Sequence, residues 1–122
     1  MYHLPSDAPI DEYCGHFRGK TLVQACFGKH DLILHLDPGI IIAIFSSIGV
    51  GRKDQPVQRR TDPKKAAEEL FDSLNTDVVD ANWSREGDLS LVFNNGSILE
   101  VYNDSDQFEC YTVTIGKTLI VV

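Results

Sequence analysis

Strict alternation of apolar and polar positions marks several strands along the chain. Leu32, Leu34 and Leu36 share one face between Asp31 and Asp37, the period-two signature of a strand with one side on a core. Thr21 to Phe27 is rich in β-formers and is joined to that run by a Gly28-Lys29-His30 turn. Asp37-Pro38-Gly39 supplies the next turn, and Ile40 to Phe45 follows as a continuous apolar run, as expected of a strand covered on both sides. In the second half, strands are expected at Val78 to Trp83, Leu89 to Phe93, Ser97 to Tyr102, Tyr111 to Thr114 and Thr118 to Val122. The turns between them fall at Arg85-Glu86-Gly87, Asn94-Asn95-Gly96 and Ile115-Gly116-Lys117, and Asn-Gly is a strong hairpin signal.

One helix is expected, over 62–75. Asp62-Pro63 gives an N-cap and a proline at the first helical position. Ala66, Leu70 and Leu74 then recur at helical spacing, with Ala67 and Phe71 beside them. Residues 1–16 hold two prolines and several acids, and read as an extended lead-in. Residues 46–61 hold Gly49, Gly51 and Pro56 without a period, and read as a long basic loop.

The two halves echo each other. Asp31-Leu32-x-Leu34-x-Leu36-x-x-Gly39 matches Asp88-Leu89-x-Leu91-x-Phe93-x-x-Gly96 at identical spacing, and Val23-x-Ala25-x-Phe27 matches Val79-x-Ala81-x-Trp83. Ile42 and Ile44 correspond to Leu99 and Val101, and Ala43 to Glu100. The last pair implies that the first copy's second face is covered, by the helix, while the second copy's is wet. The expectation is therefore a single α+β domain over 1–122, a duplicated antiparallel β-meander of six to seven strands with one connecting helix near 63–75. In it, 17–45 form the first meander and 76–122 the second with a terminal strand. A lone meander hides one face only, so two must pack together.

Charge then narrows the function. The chain is −7 overall, but Arg52, Lys53, Arg59, Arg60, Lys64 and Lys65 against Asp54 and Asp62 make one window +4, so the remainder is −11. Such a surface repels phosphate backbones and speeds encounter with basic partners. Nucleic acid is not an expected ligand. The basic run of 46–61 complements the acidic body. Three cysteines without a close pair suit a reducing compartment, and no apolar run is long enough for a signal peptide or a membrane span, so a cytoplasmic chain is expected.

Candidate chemistry is thin. Cys14, His16, Cys26 and His30 are of the types zinc prefers, but their spacing matches no structural zinc pattern. Gly19-Lys20-Thr21 and Gly116-Lys117-Thr118 resemble the end of a phosphate loop. Its leading glycine is replaced by Cys14 and Tyr111, and strands follow where a helix should begin. His35 with Asp31 and Asp37 could make an acid–base group in a cleft between the copies, and a solvated strand face accounts for the same residues. Neither catalysis nor a cofactor is expected. Acids interleaved with aromatics from Glu100 to Tyr111 look instead like a protein-recognition surface: Glu100, Asp104, Asp106 and Glu109, extended by Trp83 and Glu86 at the preceding turn.

The run Asp88-Leu89-Ser90-Leu91-Val92-Phe93-Asn94-Asn95-Gly96, then Leu99-x-Val101 and Phe108-Glu109-Cys110-Tyr111, resembles a family of small uncharacterised bacterial proteins. These in turn resemble the immunity proteins of polymorphic toxin and contact-dependent growth inhibition systems. The resemblance implies a non-enzymatic protein that binds and occludes a cognate toxin domain, often a basic nuclease. It supplies no catalytic residues. Self-association through the apolar run Thr118 to Val122 is the structural alternative, and the oligomeric state stays open.

Overall fold

The computed structural model describes residues 4, 7–60, 63–104 and 109–122, and only the backbone of 59, 60, 63–65 and 67. In chain order the elements are α1 (Ile10–Phe17), β1 (Thr21–Phe27), β2 (Leu32–Asp37), β3 (Ile40–Ile44), β4 (Ile48–Arg52) and β5 (Gln58–Arg60). Then follow α2 (Pro63–Phe71), β6 (Val78–Trp83), β7 (Leu89–Phe93), β8 (Ser97–Val101), β9 (Tyr111–Ile115) and β10 (Thr118–Val121). The described strands form two antiparallel sheets, β1-β2-β3-β9-β10 (sheet A) and β5-β4-β8-β7-β6 (sheet B). The fold is α+β, and the inner faces of both sheets meet in one core. Leu34 and Leu91, equivalent in the repeat, are both fully buried in it.

The duplication runs deeper than three strands. Each repeat is a helix followed by five strands, and each lends its last two strands to the other repeat's sheet. Thus β4 pairs with β8 while β9 pairs with β3, in the same register. Ile44 opposes Tyr111 as Val101 opposes Ile48, and Ile42 opposes Val113 as Leu99 opposes Val50. Both first strands break register at matching valines, Val23 and Val79. Where the repeats meet, Thr21 bridges Asp77, its own counterpart, and its hydroxyl donates to the Asp77 carboxylate at 2.6 Å. On either side, the Leu22 amide donates to the Thr76 carbonyl at 3.0 Å and the Val78 amide to the Lys20 carbonyl at 2.8 Å. Gly19 and Asn75, also counterparts, both take positive φ there. The molecule therefore has an internal two-fold relation, closed by exchange of hairpins.

Several expectations change. The supposed lead-in carries α1: Ile10, Tyr13, Cys14 and Phe17 form a helical stripe, with Cys14 and Phe17 buried and Ile10 and Tyr13 packed against the core. Asp11 and Glu12 in its first turn and His16 in its last suit the helix dipole. The supposed basic loop contains the β4–β5 hairpin, in which Ile48 and Val50 point inward and the glycines hold the outward positions. The run Ile40 to Phe45 is covered on one side only, since Ile41 is 40% and Phe45 52% exposed. The helices lie elsewhere: α1 packs on β6, and α2 on β4, β5 and β1. On α2, Ala66 and Leu70 are buried as expected, but Phe71 is 71% exposed. The capping residue assigned to Asp62 lies outside the described residues.

Candidate functional site: an acidic end

The connection from the third to the fourth strand is where the repeats differ most. In the first repeat it is residues 45–47; in the second it is 102–110, six residues longer. Apart from 105–108, its course is described, and it is pinned to the β6–β7 turn. Asn103, almost fully buried, donates from its backbone amide to Asp88 Oδ1 at 2.9 Å and from Nδ2 to the Glu86 carbonyl at 2.8 Å. Its Oδ1 accepts from Cys110 Sγ at 3.3 Å. Every polar atom of that amide side chain is thus engaged, as burial requires. Gly87, at φ +100°, has no room for a side chain, because a Cβ would meet Val122 Cγ1 at 2.7 Å and Asn103 Nδ2 at 2.9 Å.

Below this turn lies an aromatic brace. Trp83 Nε1 donates to Tyr111 Oη at 2.8 Å, and that hydroxyl donates in turn to the Gly87 carbonyl. Tyr13, Phe17 and Tyr111 surround the indole at centroid distances of 5.9, 6.0 and 6.4 Å. Burial pushes the Tyr111 phenol well above its ordinary value, a shift only partly opposed by the hydrogen bond from Trp83.

The six residues expected to bind a partner separate accordingly. Trp83 is 2% exposed and belongs to the core, so it offers no surface; its alternation with the buried Ala81 was the signal for that, although its counterpart Phe27 is exposed. Glu86, Asp104 and Glu109 are exposed at this end of the molecule, on or beside the segments that Asn103 joins. Asp104 also accepts a hydrogen bond from the Ser47 hydroxyl, which ties the long connection to its short counterpart. Glu100 stands apart on the outer face of sheet B, half-buried, and accepts from the Tyr102 hydroxyl at 2.9 Å. Asp106 lies outside the described residues. Sequence reasoning missed Asn103, which organises the end; the signal was an asparagine just past the end of a strand, where side-chain amides commonly cap backbone groups.

The other candidates disperse. Asp31, His35 and Asp37 are spread along β2 and its lead-in, roughly 20 Å from first to last at about 3.4 Å per residue. His35 faces outward from sheet A, and the space between the two copies is packed core. Cys14 is buried on α1, where burial raises its thiol pKa, whereas His16 and His30 are exposed and Cys26 is half-buried on β1. No group of three or more metal-competent side chains occurs among the described residues. Arg52 reaches back to the body, 3.2 Å from the Asn95 carbonyl and 4.0 Å from Asp72. Among the described residues no helix is long and apolar enough to cross a membrane.

A model of a family of unknown function, DUF6188, matches residues 15–122. The chain belongs to that family. The match spans both repeats, from within α1 to the final residue. No curated protein and no solved structure matches the chain.

Proposed function

We propose that this DUF6188 protein is a non-enzymatic binding protein that docks a basic protein domain on its acidic end, in the manner of an immunity protein neutralising a toxin. The observation that carries this reading is the six-residue extension of the β8–β9 connection, the one large departure from an otherwise repeated scaffold. Extra length on a rigid frame is the usual way a fold acquires a recognition loop. It carries Asp104, Asp106 and Glu109 in sequence, and Asn103 within it is hydrogen-bonded to the turn that carries Glu86 and Asp88. Complementary charge steers encounter and selects against acidic competitors. A buried amide and an aromatic brace under the turn hold the platform in one shape before binding, which lowers the ordering cost.

The test is calorimetric titration of the full chain with basic toxin domains encoded beside its gene. Tight one-to-one binding is expected, with affinity falling as salt rises. The double substitution Asp104→Lys and Glu109→Lys should weaken it at least tenfold by reversing two steering charges, while Ile41→Lys on sheet A leaves it unchanged. Absence of binding to any such domain, or indifference to the charge reversals, would remove the proposal.

A further inference from the structure

Counterpart positions on the outer faces of the two sheets differ in character along one cross-strand row. On sheet A one cross-strand row reads Cys26, Ile33, Ala43, Thr112 and Val121. Its counterpart on sheet B reads Asn82, Ser90, Glu100 and Gly49, and the sheet B row beside that reads Asp80, Val92, Ile98 and Gly51. The neighbouring row on sheet A is Gln24, His35, Ile41, Thr114 and Leu119. Neither sheet A row contains an Asp, Glu, Lys or Arg. Leu119 is 63% exposed and Ile41 40%, with Phe45 and Val121 open on the same face. On sheet B, by contrast, the side chains of Tyr102 and Val57 lie over Gly49, and Val57 over Gly51, so that sheet covers itself.

We infer that the outer face of sheet A is a self-association surface, on which a second copy of this chain packs face to face. Charge selects that occupant. The segments that build sheet A, 20–45 and 109–122, hold Lys20, Lys29 and Lys117 against Asp31, Asp37 and Glu109, so they are neutral, and the −7 resides elsewhere. Two acidic molecules repel least through this face, and a basic partner finds no carboxylate in its two central rows. An isologous contact needs a patch that is complementary to itself, and an uncharged β-branched sheet face meets that need. Apolar sheet faces stack about 10 Å apart, and the inner faces of this molecule's two sheets already meet in one core.

Size sets the strength. Five strands about 4.8 Å apart and five residues of about 3.4 Å give a face of roughly 400 Å², or roughly 800 Å² for the pair. That is below the about 1,200 Å² at which stable complexes begin, so the dimer is weak and concentration-dependent. This inference is independent of the acidic end.

Sedimentation velocity of the full chain, from low-micromolar to near-millimolar concentration, tests it. The average mass is expected to rise from monomer toward dimer. Ala43→Glu installs the residue that sheet B carries at the equivalent position, so it should fold normally and hold the chain at monomer. The double substitution Ile41→Lys and Leu119→Lys should do the same, while Phe71→Lys, an exposed apolar residue on α2, should leave the dimer intact. Circular dichroism confirms that each variant is folded. A wild-type monomer at every concentration overturns the inference, including the case where the face instead takes up an unrelated protein. A dimer that survives both the Ala43→Glu and the Ile41→Lys/Leu119→Lys changes overturns it as well.

Discussion

The two repeats agree inside and disagree outside. Their second strands match in burial, Leu32, Leu34 and Leu36 against Leu89, Leu91 and Phe93, all buried, whereas on the first strands Phe27 is exposed where its counterpart Trp83 is buried. Their outer positions diverge in polarity, and their third-to-fourth connections diverge in length. Duplication fixes the interior because each sheet contains strands from both repeats, so a change in one repeat's inner face alters a core shared with the other. Nothing comparable constrains the outer faces. They are free to acquire separate uses, one without an Asp, Glu, Lys or Arg in its two central rows, the other carrying Asp80 and Glu100 and bordered by the acidic end.

The strongest way to break this comparison is to cut equivalent core positions. Leu34→Ala and Leu91→Ala each remove a fully buried side chain from the centre of the core. Each should cost about 2–5 kcal/mol, the range for a leucine truncation that leaves a cavity. If the repeats are mechanically equivalent, urea denaturation will show similar losses for both and a single cooperative transition. A wide gap between the two, or biphasic unfolding of either variant, would mean that one sheet stands without the other.

The brace beneath the acidic end has no counterpart in the first repeat, because Ile48 occupies the position equivalent to Tyr111. Tyr111→Phe leaves the Trp83 indole N–H without its acceptor and the Gly87 carbonyl without this donor. A loss of about 2 kcal/mol is expected from stranding buried polar groups. The same variant has a pH signature. The folded-state phenol titrates above the ordinary tyrosine value of about 10, so its contribution is complete below that pH and disappears as pH rises beyond it. Wild type should therefore lose stability more steeply than Tyr111→Phe above about pH 10, measured by thermal melts across the alkaline range. Parallel pH profiles would show that the phenol ionises as readily folded as unfolded.

Much of the frame could be read from the alternation of residues. The repeat, the core leucines, a helix expected over 62–75 that ends at Phe71 in a turn over 72–75, and the turns at 28–30, 37–39, 85–87, 94–96 and 115–117 follow from period and turn chemistry, since those signals are local. The failures share a cause: a partner supplied from far along the chain. Gly49 and Gly51 look like loop residues until Tyr102 and Val57 are laid across them. The α1 stripe is short and interrupted by Gly15, and its hydrophobic side makes sense only against β6. The apolar run of β3 suggested cover on both sides, and nothing local says that one side stays open. The hairpin exchange is likewise invisible, because β4 and β9 find their third-strand neighbours in the opposite repeat. At the acidic end, the carboxylates were legible as a cluster and alternation pointed Trp83 inward, while the hydrogen bonds of Asn103 to Asp88 and the Glu86 carbonyl were not legible.

The smallest expected effect bears on why sheet B covers itself and sheet A does not. Gly49 and Thr112 occupy equivalent outward positions, on β4 and β9. At Gly49 an added Cβ would collide with the Tyr102 hydroxyl and come within 2.7 Å of Val57 Cγ1. The tyrosine must then swing away and give up its hydrogen bond to Glu100, so Gly49→Ala should cost about 1 kcal/mol despite a gain in strand propensity. Thr112→Ala removes a hydroxyl and a methyl from a position that is only half-buried. A change within about 0.5 kcal/mol is expected there, as for most surface substitutions. Equilibrium denaturation of the two variants in parallel gives the comparison directly. Equal costs would show that the Tyr102 cover contributes nothing, and the polar sheet would then be as open to a partner as the apolar one.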